Sequence, residues 1–102
     1  MNTPTSKELR QLRALAHKLR PVVTIAGKGL SDTVLEELDR ALNDHELIKV
    51  KVAVGDREQR ESLIAEACER SSASLVQRIG NIATLLRANP QADPKKSNLH
   101  RY

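Results

Sequence analysis

A short glycine-rich stretch constrains the fold most, because it separates two segments of different periodicity. Residues 22–25 are all β-branched and predict a strand, whereas residues 34–42 repeat apolar side chains at helical spacing. Gly27 and Gly29 lack a Cβ, so the backbone between these elements can turn sharply. The following helix presents unpaired N–H groups and its positive dipole end to the loop. Such a loop suits a phosphate group.

Three known phosphate loops differ in how well they fit this stretch. The Walker A loop requires a glycine five residues before Gly27, and none is there. The dinucleotide fingerprint requires a third glycine where Asp32 stands. A KH-type Gly-x-x-Gly clamp, which holds a nucleic-acid backbone, fits residues 26–29 with alanine in the first place. Taken alone, the stretch is more typical of a tight turn that carries a solvated lysine than of a phosphate clamp.

Composition limits how this chain could bind nucleic acid. Its 102 residues suffice for one domain, and 17 Lys and Arg against 13 acidic residues give a net charge of +4, which favours an anionic partner. There is no Phe or Trp, and the one Tyr is the last residue. Base stacking on aromatic platforms is therefore excluded from the folded region, so binding would depend on backbone N–H groups, Lys, Arg and shape.

The sequence offers no constellation of catalytic residues. Cys68 lies within an amphipathic helical pattern and is expected to pack as a small hydrophobe. No paired carboxylates, metal-ligand cluster or nucleophile–base set stands out, so neither an enzyme nor a cofactor nor a metal is predicted. With no apolar run of about 18 residues and no signal-like N-terminus, a cytoplasmic protein is expected.

Helical and strand patterns alternate along the chain and end in a hairpin. The predicted elements are a helix over 6–20, a strand over 22–25, a helix over 32–42, a turn at 43–45, a strand over 47–54, a helix from Asp56 to Ser71, and strands over 75–79 and 82–87 joined by Gly80-Asn81. This α-β-α-β-α-β-β order predicts a single α/β domain, with a four-stranded mixed sheet packed against three helices. Residues 1–88 form that domain, and the polar, basic residues 89–102 are expected to be a flexible tail.

Basic side chains concentrate on two of the predicted elements. Arg10, Arg13, His17 and Arg20 recur at spacings of three and four along the first helix, and Lys7 and Lys18 extend the group. Lys49 and Lys51 alternate with apolar residues in the clearest strand, so one face of that strand is buried and the other shows both lysines. For the first helix, a phosphate-binding surface is favoured slightly over a merely solvated one, whereas Lys49 and Lys51 could face either RNA or solvent alone. The predicted helix over 32–42 carries an acidic outer face instead, formed by Asp32, Glu36 and Asp39.

Three stretches resemble one known family, the CRM-domain (YhbY-like) RNA-binding proteins. Residues 12–23 are similar to its Leu-x-x-x-Ala-His-x-Leu-Lys-Pro motif, and the glycine loop followed by Leu30 and a helix is similar to its loop. Residues 41–51 include the specific Glu-Leu-Ile-Lys-Val-Lys core. The resemblance covers roughly residues 7–87. In the family's Gly-Lys-x-Gly loop, Ala26 takes the first glycine's place here, while Gly29 and Leu30 stay in register.

The resemblance implies a fold like the C-terminal domain of translation initiation factor three, which is KH-like. It implies a bacterial, non-enzymatic, monomeric protein that binds ribosomal RNA in precursors of the large subunit during ribosome assembly. The candidate RNA-binding residues are Ala26, Gly27, Lys28, Gly29, Lys7, Arg10, Arg13, His17, Lys18, Arg20, Lys49 and Lys51. Two alternatives stay open: a protein-interaction adaptor that uses the acidic helix, and an enzyme that uses the loop for a mononucleotide.

Overall fold

Helices and strands alternate along the chain in the computed structural model, which describes residues 5–27 and 29–99. The elements are α1 (Ser6–Ala16), β1 (Pro21–Ile25), α2 (Asp32–His45), β2 (Leu47–Val52), α3 (Arg57–Ser71), β3 (Ser74–Ile79) and β4 (Ile82–Leu86). This order confirms the predicted single α/β domain with three helices. No helix within the described residues is both long and apolar enough to span a membrane.

The four strands form one mixed sheet in the order β1-β2-β4-β3. β1 and β2 are parallel, whereas β4 pairs antiparallel with both β2 and β3. A parallel pair requires a crossover connection, and α2 provides it. The predicted Gly80-Asn81 turn joins β3 to β4 and sets Ile79 opposite Ile82.

Helices cover both faces of the sheet. On one face, Ile48, Val50 and Val52 of β2 are buried in a core cluster with Leu38 of α2 and Ile64 of α3. A second, smaller cluster lies on the opposite face, where α1 packs. Its buried members are Leu12, Ala16, Leu47 and Val76. The sheet is therefore the middle layer, and α1 lies across it from α2 and α3.

Capping residues fix where each helix begins. Thr5 and Glu8 form a reciprocal capping box on α1, and the Ser31 side chain caps α2. Asp56 and Gln59 form the second capping box, as predicted for α3. Each cap satisfies backbone N–H groups that have no partner inside the helix.

Two helix ends differ from the prediction. α1 ends at Ala16 rather than at residue 20. The Leu19 N–H donates to the Ala16 carbonyl at 2.9 Å, which forms a tight turn, and the residue before Pro21 is disfavoured in a helix. The predicted turn at 43–45 is wrong, since α2 continues through His45. Its helical hydrogen bonds run on until Glu46, whose φ of 63° turns the backbone away while its N–H still donates to the Leu42 carbonyl.

Residues 89–99, here called the C-terminal strap, lie against the junction of α2 and β2. The Glu46 carboxylate is fully buried and accepts hydrogen bonds from the Asn89 backbone N–H (2.6 Å) and the Ser97 hydroxyl (2.8 Å). The Asn98 side-chain amide donates to the Leu47 carbonyl at 2.7 Å, and Leu99 packs on the second core cluster. The part of the expected flexible tail that the structure describes thus has specific contacts with the domain.

Candidate nucleic-acid interface

Helix α1 covers only one end of its sheet face. Leu47 and Val76 contact α1, with Leu86 packed beside them, whereas the next residues along β2, β4 and β3 extend beyond the helix. Side chains of a strand alternate between faces, so Lys49 and Lys51 lie on the same face as Leu47. The register places two cross-strand rows there, which we call the open sheet face. They are Lys49–Thr84–Gln77 and Lys51–Ile82–Ile79.

A cavity of about 220 Å³ lies where α1 meets the open sheet face. Arg13 and His17 line it from the helix, and Lys49 lines it from β2. The structure thus brings together three residues that were predicted to bind RNA from separate segments of the chain. The side chains of Arg13 and His17 are exposed, and that of Lys49 is half-buried.

The glycine loop adjoins the open sheet face at the ends of β1 and β2. Lys51 pairs with Thr24, which lies two residues before Ala26. The Gly29 N–H donates to the Ala26 carbonyl at 2.7 Å and closes a tight turn, in which Gly29 has a φ of 67°. Ala26 and Gly27 are exposed in this turn. Lys28, predicted as a binding residue, lies outside the described residues.

The opposite side of the loop has different electrostatics. A cleft between the loop and α3 is lined by Gly27 and Gly29, and also by Glu58 of α3. A carboxylate in that cleft disfavours a phosphate group, whereas Lys51 lies on the sheet side of the loop. An anionic chain is therefore favoured to approach the loop along the open sheet face.

The remaining predicted basic residues separate into two groups. Lys7 and Arg10 are exposed on α1, and Arg10 lies one helical turn before Arg13 on the same side. Arg20 is exposed directly before Pro21, whose partner in β2 is Lys49. Lys18 instead lines a groove between the end of α1 and the C-terminal strap, away from Lys49.

The cations of this surface have no carboxylate partner in the part of the protein that the structure describes. Among the residues that the structure describes, Arg78 pairs with Glu61 and Arg87 with Asp39. No carboxylate in the described ranges pairs with the side chains of the binding candidates on this surface. Those unpaired cations are Arg10, Arg13, Arg20, Lys49 and Lys51. Unpaired positive charge on an open surface is what an anionic ligand requires.

Sequence reasoning missed the contribution of the hairpin to this site. Gln77 and Ile79 of β3, with Ile82 and Thr84 of β4, line the cavity together with the basic residues. The signal was present in the Gly80-Asn81 turn, because a two-residue turn fixes which residues pair and hence which share a face. Ile79 is 67% exposed although it is a large apolar residue, whereas Thr84 is 4% exposed at the bottom of the cavity.

Cys68 lies on the other side of the sheet and takes no part in this surface. It is half-buried and packs on the core cluster beneath α2 and α3, as its helical position predicted. Burial disfavours the thiolate and raises the pKa of the Cys68 thiol. A cysteine in that state is a packing residue rather than a nucleophile.

Comparison with known proteins identifies the family. Residues 5–87 match the family model of the CRS1/YhbY (CRM) domain. The chain is 45% identical to a probable RNA-binding protein of Pseudomonas aeruginosa (96% of this chain, 94% of the relative) and 46% identical to an RNA-binding protein of Haemophilus influenzae (90% and 93%). Its fold matches the solution structure of a hypothetical protein from Staphylococcus aureus with a TM-score of 0.77, at 30% identity over 89% of this chain and 95% of the other. The chain therefore belongs to the CRS1/YhbY (CRM) domain family.

Proposed function

We propose that this protein binds RNA, without catalysing a reaction, through the open sheet face, the adjoining glycine loop and the exposed side of α1. The observation that carries the proposal is the convergence of Arg13, His17 and Lys49 on one cavity, with no carboxylate paired to them among the described residues. Two relatives that are named as RNA-binding proteins support it.

Phosphate contacts supply most of the affinity in this proposal. The described part of the chain contains no Phe, Trp or Tyr side chain on which a base could stack. Lys51 and the glycine loop hold the RNA backbone at one end of the surface, and Arg13 with Arg10 holds it at the other. Because each neutralised phosphate releases counterions, the affinity is expected to fall steeply with salt.

The RNA in this proposal is ribosomal RNA in precursors of the large subunit, and the protein acts as a monomer during assembly. The support is the resemblance of the chain to single-domain bacterial members of the family. Crosslinking RNA to the protein in living cells and sequencing it tests this part. We expect reads concentrated in large-subunit ribosomal RNA, and an even spread over messenger RNA would contradict it.

A single charge reversal tests the binding surface. Lys51→Glu is expected to weaken binding of a fluorescent single-stranded oligoribonucleotide and to lower the slope of log affinity against log salt by about one. Arg40→Glu is the matched control, because Arg40 is also exposed but lies on α2, across the sheet. Both variants change the net charge equally. Equal loss of affinity in the two would mean that only net charge matters and would refute the assigned surface.

A further inference from the structure

We propose that the cavity between α1 and the open sheet face binds one unpaired nucleobase of the RNA, with that nucleotide's phosphate on Arg13 and Lys49. The inference deepens the proposed function and rests on it. It assigns a base-recognition site to the hairpin residues Gln77 and Thr84, which the sequence analysis did not select. The site would take a single-stranded nucleotide rather than a base pair.

The size of the cavity suits one aromatic ring system. An engineered protein cavity of about 150 Å³ takes up benzene. The cavity here measures about 220 Å³ and opens to solvent. The cavity forms because the α1 residue beside it, Ala16, is small and 2% exposed. The larger apolar side chains of α1 pack on the second core cluster, farther along the sheet.

The apolar part of the lining can contact the face of a base. Ile82 and Ile79 contribute branched aliphatic side chains from neighbouring strands, and Ile79 remains 67% exposed. A ligand that covers such an exposed apolar side chain gains binding free energy, since removing apolar surface from water is favourable. Aliphatic contact here takes the place of stacking on Phe, Trp or Tyr, which the described chain lacks.

Two polar groups in the cavity have no partner in the described protein. Within residues 5–27 and 29–99, no hydrogen bond engages the Gln77 side-chain amide or the Thr84 hydroxyl. Thr84 as a residue is only 4% exposed, but its hydroxyl is not among the buried side-chain atoms that lack a partner, so this oxygen is accessible from the cavity that Thr84 lines. An amide and a hydroxyl each donate and accept, as the edge of a nucleobase does. These groups are therefore placed to read a base edge.

The basic residues that line the cavity could bind the phosphate of the same nucleotide. Arg13, His17 and Lys49 line the same cavity, whereas no carboxylate does so among the described residues. A phosphate attached to the bound base would meet these cations. In a duplex, the pairing edge of the base is already hydrogen-bonded to its partner base. The major groove of A-form RNA is also too deep and narrow for side chains to reach the bases. The site therefore selects single-stranded RNA.

Nucleotide titrations of the full-length protein followed by NMR test the site directly. Each of the four nucleoside 5′-monophosphates is added to isotope-labelled protein, with ribose 5-phosphate as the ligand that lacks a base. We expect nucleotides to shift the Gln77 side-chain amide and the methyl signals of Ile79, Ile82 and Thr84, and ribose 5-phosphate to leave these unmoved. Equal shifts with both ligands, or none at these residues with the nucleotides, would overturn the base site.

A substitution separates failure of the base site from failure of RNA binding. Gln77→Leu removes the amide at similar size and is expected to weaken binding about five-fold for the preferred of four homopolymeric oligoribonucleotides, and less for the others. Gln91→Leu, the same change on the exposed strap, is the control. Thr84→Val is a second variant that deletes only the hydroxyl, and melting curves establish that each variant is folded.

The wild-type protein and the variants give distinct outcomes. Binding by the wild type with a base preference that Gln77→Leu and Thr84→Val both leave unchanged would overturn the base site and leave the proposed function intact. If the wild type binds none of the four oligoribonucleotides, the proposed function fails and the base site fails with it. A flattened preference in either variant, with Gln91→Leu unchanged, supports the site.

Discussion

At the scale of single residues, the two loop glycines, Gly27 and Gly29, differ in backbone conformation. Gly29 has a φ of 67°, a conformation that L side chains rarely adopt, whereas Gly27 is not among the residues with positive φ. Neither position is crowded, since a Cβ on Gly27 would meet nothing within 4 Å and one on Gly29 would lie 3.7 Å from Leu63 Cδ2. Glycine is therefore required at Gly29 by the backbone and not by lack of space.

This difference makes the role of the loop testable with matched substitutions. Gly29→Asp is expected to abolish detectable RNA binding, because it adds a negative charge to the loop that would hold the RNA backbone. The positive φ costs about 1–2 kcal/mol of stability in addition. The domain should stay folded, since the core clusters are untouched. Anisotropy titration against a single-stranded oligoribonucleotide, paired with thermal melting, measures both effects.

Two further variants separate strain from charge. Gly29→Asn keeps the bulk without the charge, and asparagine tolerates positive φ better than most residues, so it should retain part of the affinity. Gly27→Asp carries the charge without the strain and should lose affinity while melting like the wild type. If both aspartate variants are folded and bind normally, the loop is only a connector.

At the scale of elements, the C-terminal strap depends on one residue between α2 and β2. Glu46 is fully buried, has a φ of 63°, and holds both ends of the strap through Asn89 and Ser97. The strap also reaches α2 directly, since His45 Nδ1 lies 2.7 Å from the Lys96 carbonyl. It therefore stabilises the junction at which α2 ends and the central strand begins.

Removing the strap is expected to destabilise the domain. A chain that ends at Ala88 leaves the buried Glu46 carboxylate without the Asn89 and Ser97 donors and uncovers the second core cluster where Leu99 packs. Loss of buried hydrogen bonds of this kind costs about 1–3 kcal/mol, and each kcal/mol lowers the melting temperature of a domain this size by about 4–8 °C.

A chain that ends at Leu99 is the control for this truncation, because it retains every strap contact described here. Calorimetry of the two chains measures the difference. Equal melting temperatures would show that the strap adds nothing to stability and that residues 1–88 form the complete folding unit.

The elements could be predicted from the sequence because their signals are local. β-branched runs, helical apolar spacing and the Gly80-Asn81 turn gave the order of elements, and the Asp56–Gln59 pair gave the start of α3. The conformation of residues 43–45 and of the strap could not be predicted from local signals. It depends on a buried glutamate and on partners more than 40 residues away in the chain. The cavity was missed for the same reason: it requires α1 and the hairpin to meet on one sheet face.

At the scale of the whole molecule, charge is divided between the two sides of the sheet. The candidate RNA-binding cations lie with α1 and the open sheet face, whereas α2, across the sheet, exposes Asp32, Glu36 and Asp39 together with Arg40. Such an arrangement orients an approaching polyanion toward one side of the molecule.

The acidic side provides a test against the adaptor alternative. Glu36→Lys should leave RNA affinity nearly unchanged at physiological salt, where exposed charges more than about 8 Å apart are largely screened. A protein-interaction adaptor that binds its partner through α2 would instead lose affinity for that partner in this variant, and RNA would not affect the loss. Parallel anisotropy titrations of Glu36→Lys and Lys51→Glu make the comparison, and a clear gain of affinity in Glu36→Lys would mean that RNA extends around to α2.

The central position of β2 has a consequence for when the open sheet face is completed during synthesis of the chain. Lys49 reaches its neighbours Thr84 and Gln77 only through β4 and β3, which are made after it. Contacts between segments so distant in the chain form late, and a nascent chain that still lacks β4 has no open sheet face. The proposed RNA-binding surface is therefore complete only after β4, the last strand in the chain, has left the ribosome.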